Sequence, residues 1–167
     1  AKKVFVCGVE KVIINSCFLI NPTLVNEISE TYGEQSVVLS LDVGKNWRGE
    51  WVTKWLSGSK KGEKLNTFLQ KINQLSIGEV LLHNIDKEGS FRGLDLELIH
   101  QVSSIAKVPL VPVGGVNSLQ NVLEAIQNGA SAVAAASFFS YKNNNIDSIL
   151  INYPSSSEQK EKIYLHL

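Results

Sequence analysis

The chain has 167 residues, 16 basic against 16 acidic side chains, 44% hydrophobic content and a mean hydropathy of +0.02. That describes one globular domain, residues 1–167, with one core; zero net charge argues against a nucleic-acid partner, and no apolar run reaches the length of a membrane span. Cys7 and Cys17 have no histidine or further cysteine at ligand spacing, which reads as two free thiols in a cytoplasmic protein without a metal site.

In chain order, Lys3 to Gly8 reads as the end of a helix closing on glycine. With no methionine anywhere, residue 1 is taken as a point inside a longer natural chain. Five short, nearly continuous apolar runs follow: Lys11–Asn15 (KVIIN), Ser36–Asp42 (SVVLSLD), Glu79–Asp86 (EVLLHNID), Pro109–Gly114 (PLVPVG) and Ser131–Ser137 (SAVAAAS). Such runs predict strands buried on both faces. Between them lie stretches of helical spacing: Leu24, Ile28 and Tyr32 before Gly33; Leu65, Phe68, Leu69, Ile72 and Leu75 before Gly78; Leu96, Ile99, Val102 and Ile105 before Pro109; Val122, Leu123 and Ile126 before Gly129. Strand and helix in alternation predict a parallel sheet with right-handed crossovers, either an open doubly wound sheet or a closed barrel. The longest strand-to-helix connection, residues 43–63, is expected to be an inserted loop or hairpin lid, because Trp51, Thr53 and Trp55 alternate. A short helix is the competing reading, since Trp47, Trp51 and Trp55 are spaced by four. Residues 154–167 read as a polar tail.

Candidate chemistry gathers at the carboxyl ends of the strands. Val113-Gly114-Gly115-Val116 and Ala136-Ser137 end two successive runs, and Gly89 follows the one before. Adjacent glycines let backbone N–H groups approach an anion, so the three ends together suggest phosphate; a tight turn alone would also explain the glycines. Alternation puts Lys11, Ile13 and Asn15 on one face, and Asn15-Ser16 is either a ligand contact or a cap for the next helix. Val38, Ser40 and Asp42 share a face, and Asp42 ends it, as a general acid or base or as a helix-capping carboxylate. Asp86 has the equivalent place and reads as a supporting group. His83 shares the inward face with Leu81; a lone inward histidine is more often a satisfied core group than a base. Lys11 and Glu79 begin their strands on that same face, where opposite charges call for a partner.

Taken in order, GVEKVIINS, YGEQSVVLSLDV, GEVLLHNIDKEGSFRGLDLELI, PVGGVNS and GASAVAAASFF resemble the cyclase (synthase) subunit of imidazole glycerol phosphate synthase, from residue 8 to 141. The resemblance implies an α/β chain of the TIM (β/α)8 barrel type, holding the C-terminal five βα units without the first three strands. It implies a lyase of histidine biosynthesis without a cofactor. Such an enzyme takes ammonia from a glutaminase partner, condenses it with a phosphorylated ribonucleotide, and releases imidazole glycerol phosphate and AICAR. Asp42 then matches the catalytic aspartate of the fifth barrel strand. Asn15 and Ser16 match one phosphate site; Gly89, Gly114, Gly115, Ala136 and Ser137 match the other. Lys11 and Glu79 match half of a charged gate for ammonia. Glu88 stands where the family usually has Asp, His83-Asn84 where Thr-Ser is usual, and Val113 where serine is common. These departures are closer to a divergent branch that delivers ammonia for amidination of a surface-polysaccharide sugar. Five strands cannot close a barrel, so the piece is expected to pair with its missing N-terminal part or to self-associate. Alone it would be weakly active or an inert half-barrel scaffold.

Overall fold

A computed structural model describes residues 1–21, 23–54, 62–141 and 153–167. Residues 55–61 of the proposed lid, Trp55 among them, lie outside these residues. Helix α1 (Lys2–Val6) ends as expected on Gly8, whose φ is +84°. The first four apolar runs form β1 (Val12–Ile14), β2 (Val37–Lys45), β4 (Glu79–Asn84) and β5 (Leu110–Val113). They pair in the order β1-β2-β4-β5, all parallel. The helical stretches form α3 (Thr23–Tyr32), α4 (Leu65–Ile72), α5 (Leu96–Ser103) and α6 (Leu119–Gln127); α2 (Cys17–Ile20) is a single turn after β1.

Period-two alternation divides the sheet into two unlike faces. Val12 and Ile14, Val37 to Val43 at odd positions, Val80, Leu82 and Leu110 pack with Val25, Ile28, Leu65, Phe68, Leu69, Ile72, Leu98, Ile99 and Val102 of the helices. That is the core, and its side chains are nearly all below 5% exposed. The other face carries Ile13, Val38 and Glu79 in one row, Ser40, Leu81 and Val111 in the next, then Asp42, His83 and Val113. Among the described parallel strands only β2 is buried on both faces; Ile13 is 62% exposed, and Glu79, Leu81, His83, Val111 and Val113 are half-buried. The expectation of strands covered on both sides therefore holds for β2 alone. Apolar side chains elsewhere on this second face meet solvent.

The run Ser131–Ser137 does not form the fifth parallel strand. It lies beside β5 through two backbone bonds, Ser131 N–H to the Leu110 carbonyl (2.8 Å) and Ala134 N–H to the Pro112 carbonyl (3.0 Å), and a side-chain bond from Leu110 N–H to Ser131 Oγ (3.4 Å). The reason is Pro112. Leu110 and Pro112 direct their backbone polar groups toward this run, and proline has no N–H to return a bond. The chain then turns into α7 (Ser137–Ser140).

Strand β2 outruns its expected end because it folds into a hairpin. Trp51–Thr53 form β3, antiparallel to Val43–Lys45. Asn46 makes the turn: its Oδ1 accepts from the N–H groups of Arg48 (2.8 Å) and Glu50 (3.0 Å). The alternation of Trp51 and Thr53 thus marks a strand, not a helix. The polar tail contains a helix, α8 (Ser156–Lys162), started by a reciprocal capping box between Ser155 and Glu158. Behind it Ile163 is buried.

Candidate functional site

Two groups of side chains meet at the carboxyl ends of the strands. The first is built on β1, β2 and β4. In-register pairing of Asp42 with His83 sets the two side chains on the same face of adjacent strands. His83 Nδ1 lies 3.0 Å from Asp42 Oδ1. Asn15, just past β1, donates its amide to Asp42 Oδ2 at 3.1 Å and to Ser40 Oγ at 3.2 Å. Ser16 donates to Asn15 Oδ1 at 3.0 Å and so fixes the amide's orientation. On the far side of the imidazole, Nε2 lies 3.4 Å from the Glu88 carboxylate. Asp42 is buried, whereas the His83 side chain is 29% exposed. The backbone carbonyl of Asp42 is also committed, accepting from Lys54 N–H at 2.7 Å as the hairpin returns.

The second group is a small cleft lined by Glu88, Gly89, Gly114, Gly115, Ala136 and Ser137, walled by Phe91 and Phe138. All five residues expected for the second phosphate site are therefore side by side. Gly114 has φ +108°, and a Cβ on it would come within 2.6 Å of the Asn84 carbonyl oxygen. Close packing of β5 against the end of β4 thus requires glycine here before any anion is considered. The Glu88 carboxylate in the lining opposes an anion unless it stays turned toward the His83 ring.

The remaining expected residues sit apart. Lys11 and Glu79 form an ion pair of 2.8 Å at the opposite, amino end of the sheet. It is not a buried pair in this chain, since the lysine side chain is 51% exposed and the glutamate 23%. Asp86 turns away from the His83 cluster: its Oδ2 accepts from Lys45 N–H at 2.7 Å and ties the end of β4 to the hairpin. Asn15 and Ser16 serve Asp42 and do not line the glycine cleft.

Sequence reasoning passed over the roles of Ser40 and Glu88. Ser40 was legible as a member of the Asp42 face by alternation. Glu88 stood out only as a departure from the family's usual Asp, with no sign of its contact with His83, because that contact is made by the folded loop. Both Cys7 and Cys17 are free and exposed. Among the described residues, no group of three or more His, Cys, Asp or Glu side chains converges as metal ligands would, and no helix is long and apolar enough to cross a membrane.

The protein is thus a parallel α/β protein that gathers a carboxylate–imidazole pair and a glycine-lined cleft at the carboxyl ends of its strands, the end at which open α/β sheets generally place ligands. Comparison with known proteins makes this specific. The histidine biosynthesis protein family matches residues 1–145, and the chain belongs to that family. A Leptospira borgpetersenii protein named putative imidazole glycerol phosphate synthase subunit HisF is 33% identical over 163 residues, covering 96% of this chain and 64% of that protein. The putative subunit hisF3 of Vibrio vulnificus (strain YJ016) is 34% identical, covering 99% of this chain and 64% of its own length. The subunit HisF of Streptococcus sanguinis (strain SK36) is 38% identical over 143 residues, which are 84% of this chain and 56% of that protein. The chain thus spans less than two thirds of the length of these relatives.

Proposed function

We propose that this chain is the C-terminal part of a phosphate-binding (β/α)8 barrel that works as a cyclase-type subunit of imidazole glycerol phosphate synthase. The observation that carries the reading is the joint placement of Asp42, His83 and Asn15 next to a cleft lined by Gly89, Gly114, Gly115, Ala136 and Ser137. Acid–base groups beside an anion cradle suit a phosphorylated substrate that must exchange protons during ring closure. The half-exposed second face supports the partial barrel: Ile13, Leu81, Val111 and Val113 sit where a closed barrel would pack its interior. The names of the relatives point the same way.

In this reading the phosphate sits against backbone N–H groups of the cleft, and the Asp42 cluster moves protons at the reacting end. Asn15 would have to release Asp42 or Ser40 to touch a second phosphate, since both its amide hydrogens are in use. Ammonia from a glutaminase subunit enters at the opposite end, past the Lys11–Glu79 pair.

The test is an assay of the gene product that contains this chain, supplied with ammonium salt and the formimino-AICAR ribonucleotide. AICAR release is expected, with Asp42→Asn lowering kcat by about 100-fold or more. No AICAR release from the wild-type protein overturns the reading, and the ammonia-delivery alternative for sugar amidination then takes its place.

A further inference from the structure

The line Asp42–His83–Glu88 carries an inference that rests on the function proposed above and goes beyond it. Asp42 is 6% exposed, and both its carboxylate oxygens are engaged, one by His83 Nδ1 at 3.0 Å and one by the Asn15 amide at 3.1 Å. Those contacts use two of the carboxylate's about four acceptor sites, and burial leaves little of the rest open to a substrate. The imidazole is the more open partner, at 29% exposure against 9% for the Asp42 side chain. Its other nitrogen, Nε2, lies toward the Glu88 carboxylate at 3.4 Å, and Glu88 lines the glycine cleft. The imidazole therefore stands between the buried carboxylate and the cleft.

Proton inventory then gives the two ring nitrogens different tasks. An ionised carboxylate only accepts, so the contact with Asp42 requires the proton on Nδ1. A neutral imidazole held this way has its lone pair on Nε2. A buried carboxylate that holds the tautomer, with the far nitrogen doing the proton transfer, is the division of labour of a carboxylate–histidine dyad. We propose that His83 Nε2 is the atom of this chain that exchanges protons with the substrate, and that Asp42 acts through it by fixing the Nδ1–H tautomer.

The proton balance is closed. The Nε2 lone pair takes a proton from the substrate and the ring becomes an imidazolium, its Nδ1–H still on Asp42. In that state Glu88 accepts from the new Nε2–H. The proton returns from Nε2 to the substrate in a later step, and the ring ends neutral. Among the described residues, the charged groups that meet this ring are Asp42 from β2 and Glu88 from the loop after β4. Strand β5 sets Val113 beside it in register, and the segment after β1 contributes Asn15, which is uncharged and bonds Asp42.

Two measurements test this. The chain has three histidines, so long-range proton–nitrogen NMR resolves the tautomer of each, with His83→Gln assigning the signals. The expected result is the Nδ1–H form for His83 in the neutral ring and a shift toward the Nε2–H form in Asp42→Asn. An Nε2–H ring in the unaltered chain overturns the proposal. In the gene product, His83→Ala is expected to lose about 100-fold or more in kcat with KM nearly unchanged, to lose the acid limb of the pH–rate profile, and to regain turnover with added imidazole. A ring that only props up Asp42 would leave the acid limb in place and give no imidazole rescue, and that result overturns the proposal while the cyclase reading stands. Absence of turnover in the unaltered gene product instead removes the cyclase reading and this proposal together.

Discussion

Replacing Gly114 by alanine separates the packing role of the cleft glycines from any role in ligand binding. The residue has φ +108°, and the added Cβ would approach the Asn84 carbonyl oxygen to 2.6 Å. That neighbour is backbone at the end of β4 and has no flexible end to move aside. A left-handed conformation costs an L-residue about 1–2 kcal/mol. Forcing a methyl into a packed contact adds about 1–3 kcal/mol. A loss of about 3 kcal/mol is therefore expected for Gly114→Ala, a large share of the ~5–15 kcal/mol that holds a domain together. Gly89 is the control, since its φ is +68° and a Cβ there would meet nothing within 4 Å. Gly89→Ala carries only the conformational part, about 1 kcal/mol. With a urea m-value of about 2 kcal/mol/M, the midpoints fall by about 1.5 M and about 0.5 M respectively. Urea unfolding followed by tryptophan fluorescence measures both. Equal shifts for the two variants would refute the claim that close approach of β5 to β4, and not merely backbone conformation, demands glycine at 114.

Other outcomes follow from single contacts. Leu82 is 1% exposed at the centre of the core face, so Leu82→Ala should lower unfolding stability by about 2–5 kcal/mol in the same urea experiment. Ser118 caps α6 by accepting from Asn121 N–H at 3.1 Å, and Ser118→Ala should cost about 1 kcal/mol. The half-exposed Lys11–Glu79 pair should contribute no more than about 1 kcal/mol, so Lys11→Met is expected to leave the urea midpoint nearly unchanged. The Glu50 carboxyl is held below its ordinary value of 4.5, first by its hydrogen bond from Lys64 and then by that from Asn46. A lowered carboxyl in the folded state stabilises above the unfolded value and loses that contribution as pH falls through the folded one. The gap in thermal midpoint between the unaltered chain and Glu50→Gln should thus be present at pH 7, narrow as the pH falls below the ordinary value of 4.5 and through the lowered one, and shrink in high salt because the group is exposed.

Period and punctuation alone determined much of this protein. Apolar runs at Val37–Val43 and Val80–Leu82, and helical spacing at Leu65–Ile72 and Leu96–Ser103, mark a parallel α/β sheet because burial of a strand or of one helix face leaves its period in the residues themselves. Asp42 at the end of its run, and Gly89, Gly114-Gly115 and Ala136-Ser137 after three successive runs, marked the candidate site's end of the sheet for the same reason. What the sequence left open depends on relations between distant segments. Pro112 was visible, but whether its missing N–H faced β4 or the run after α6 was settled by which side of β5 each residue's polar groups point to, and that cost the Ser131–Ser137 strand its ladder. His83 read as a core histidine because nothing local to it reveals a partner; pairing in register placed it on Asp42, and the folded loop brought Glu88 to its other nitrogen. Asp86, equal to Asp42 in position along its strand, became a staple for the hairpin because the extended β2 put the Lys45 N–H within its reach. Local periodicity says which face a side chain takes, and only the tertiary register says what it meets there.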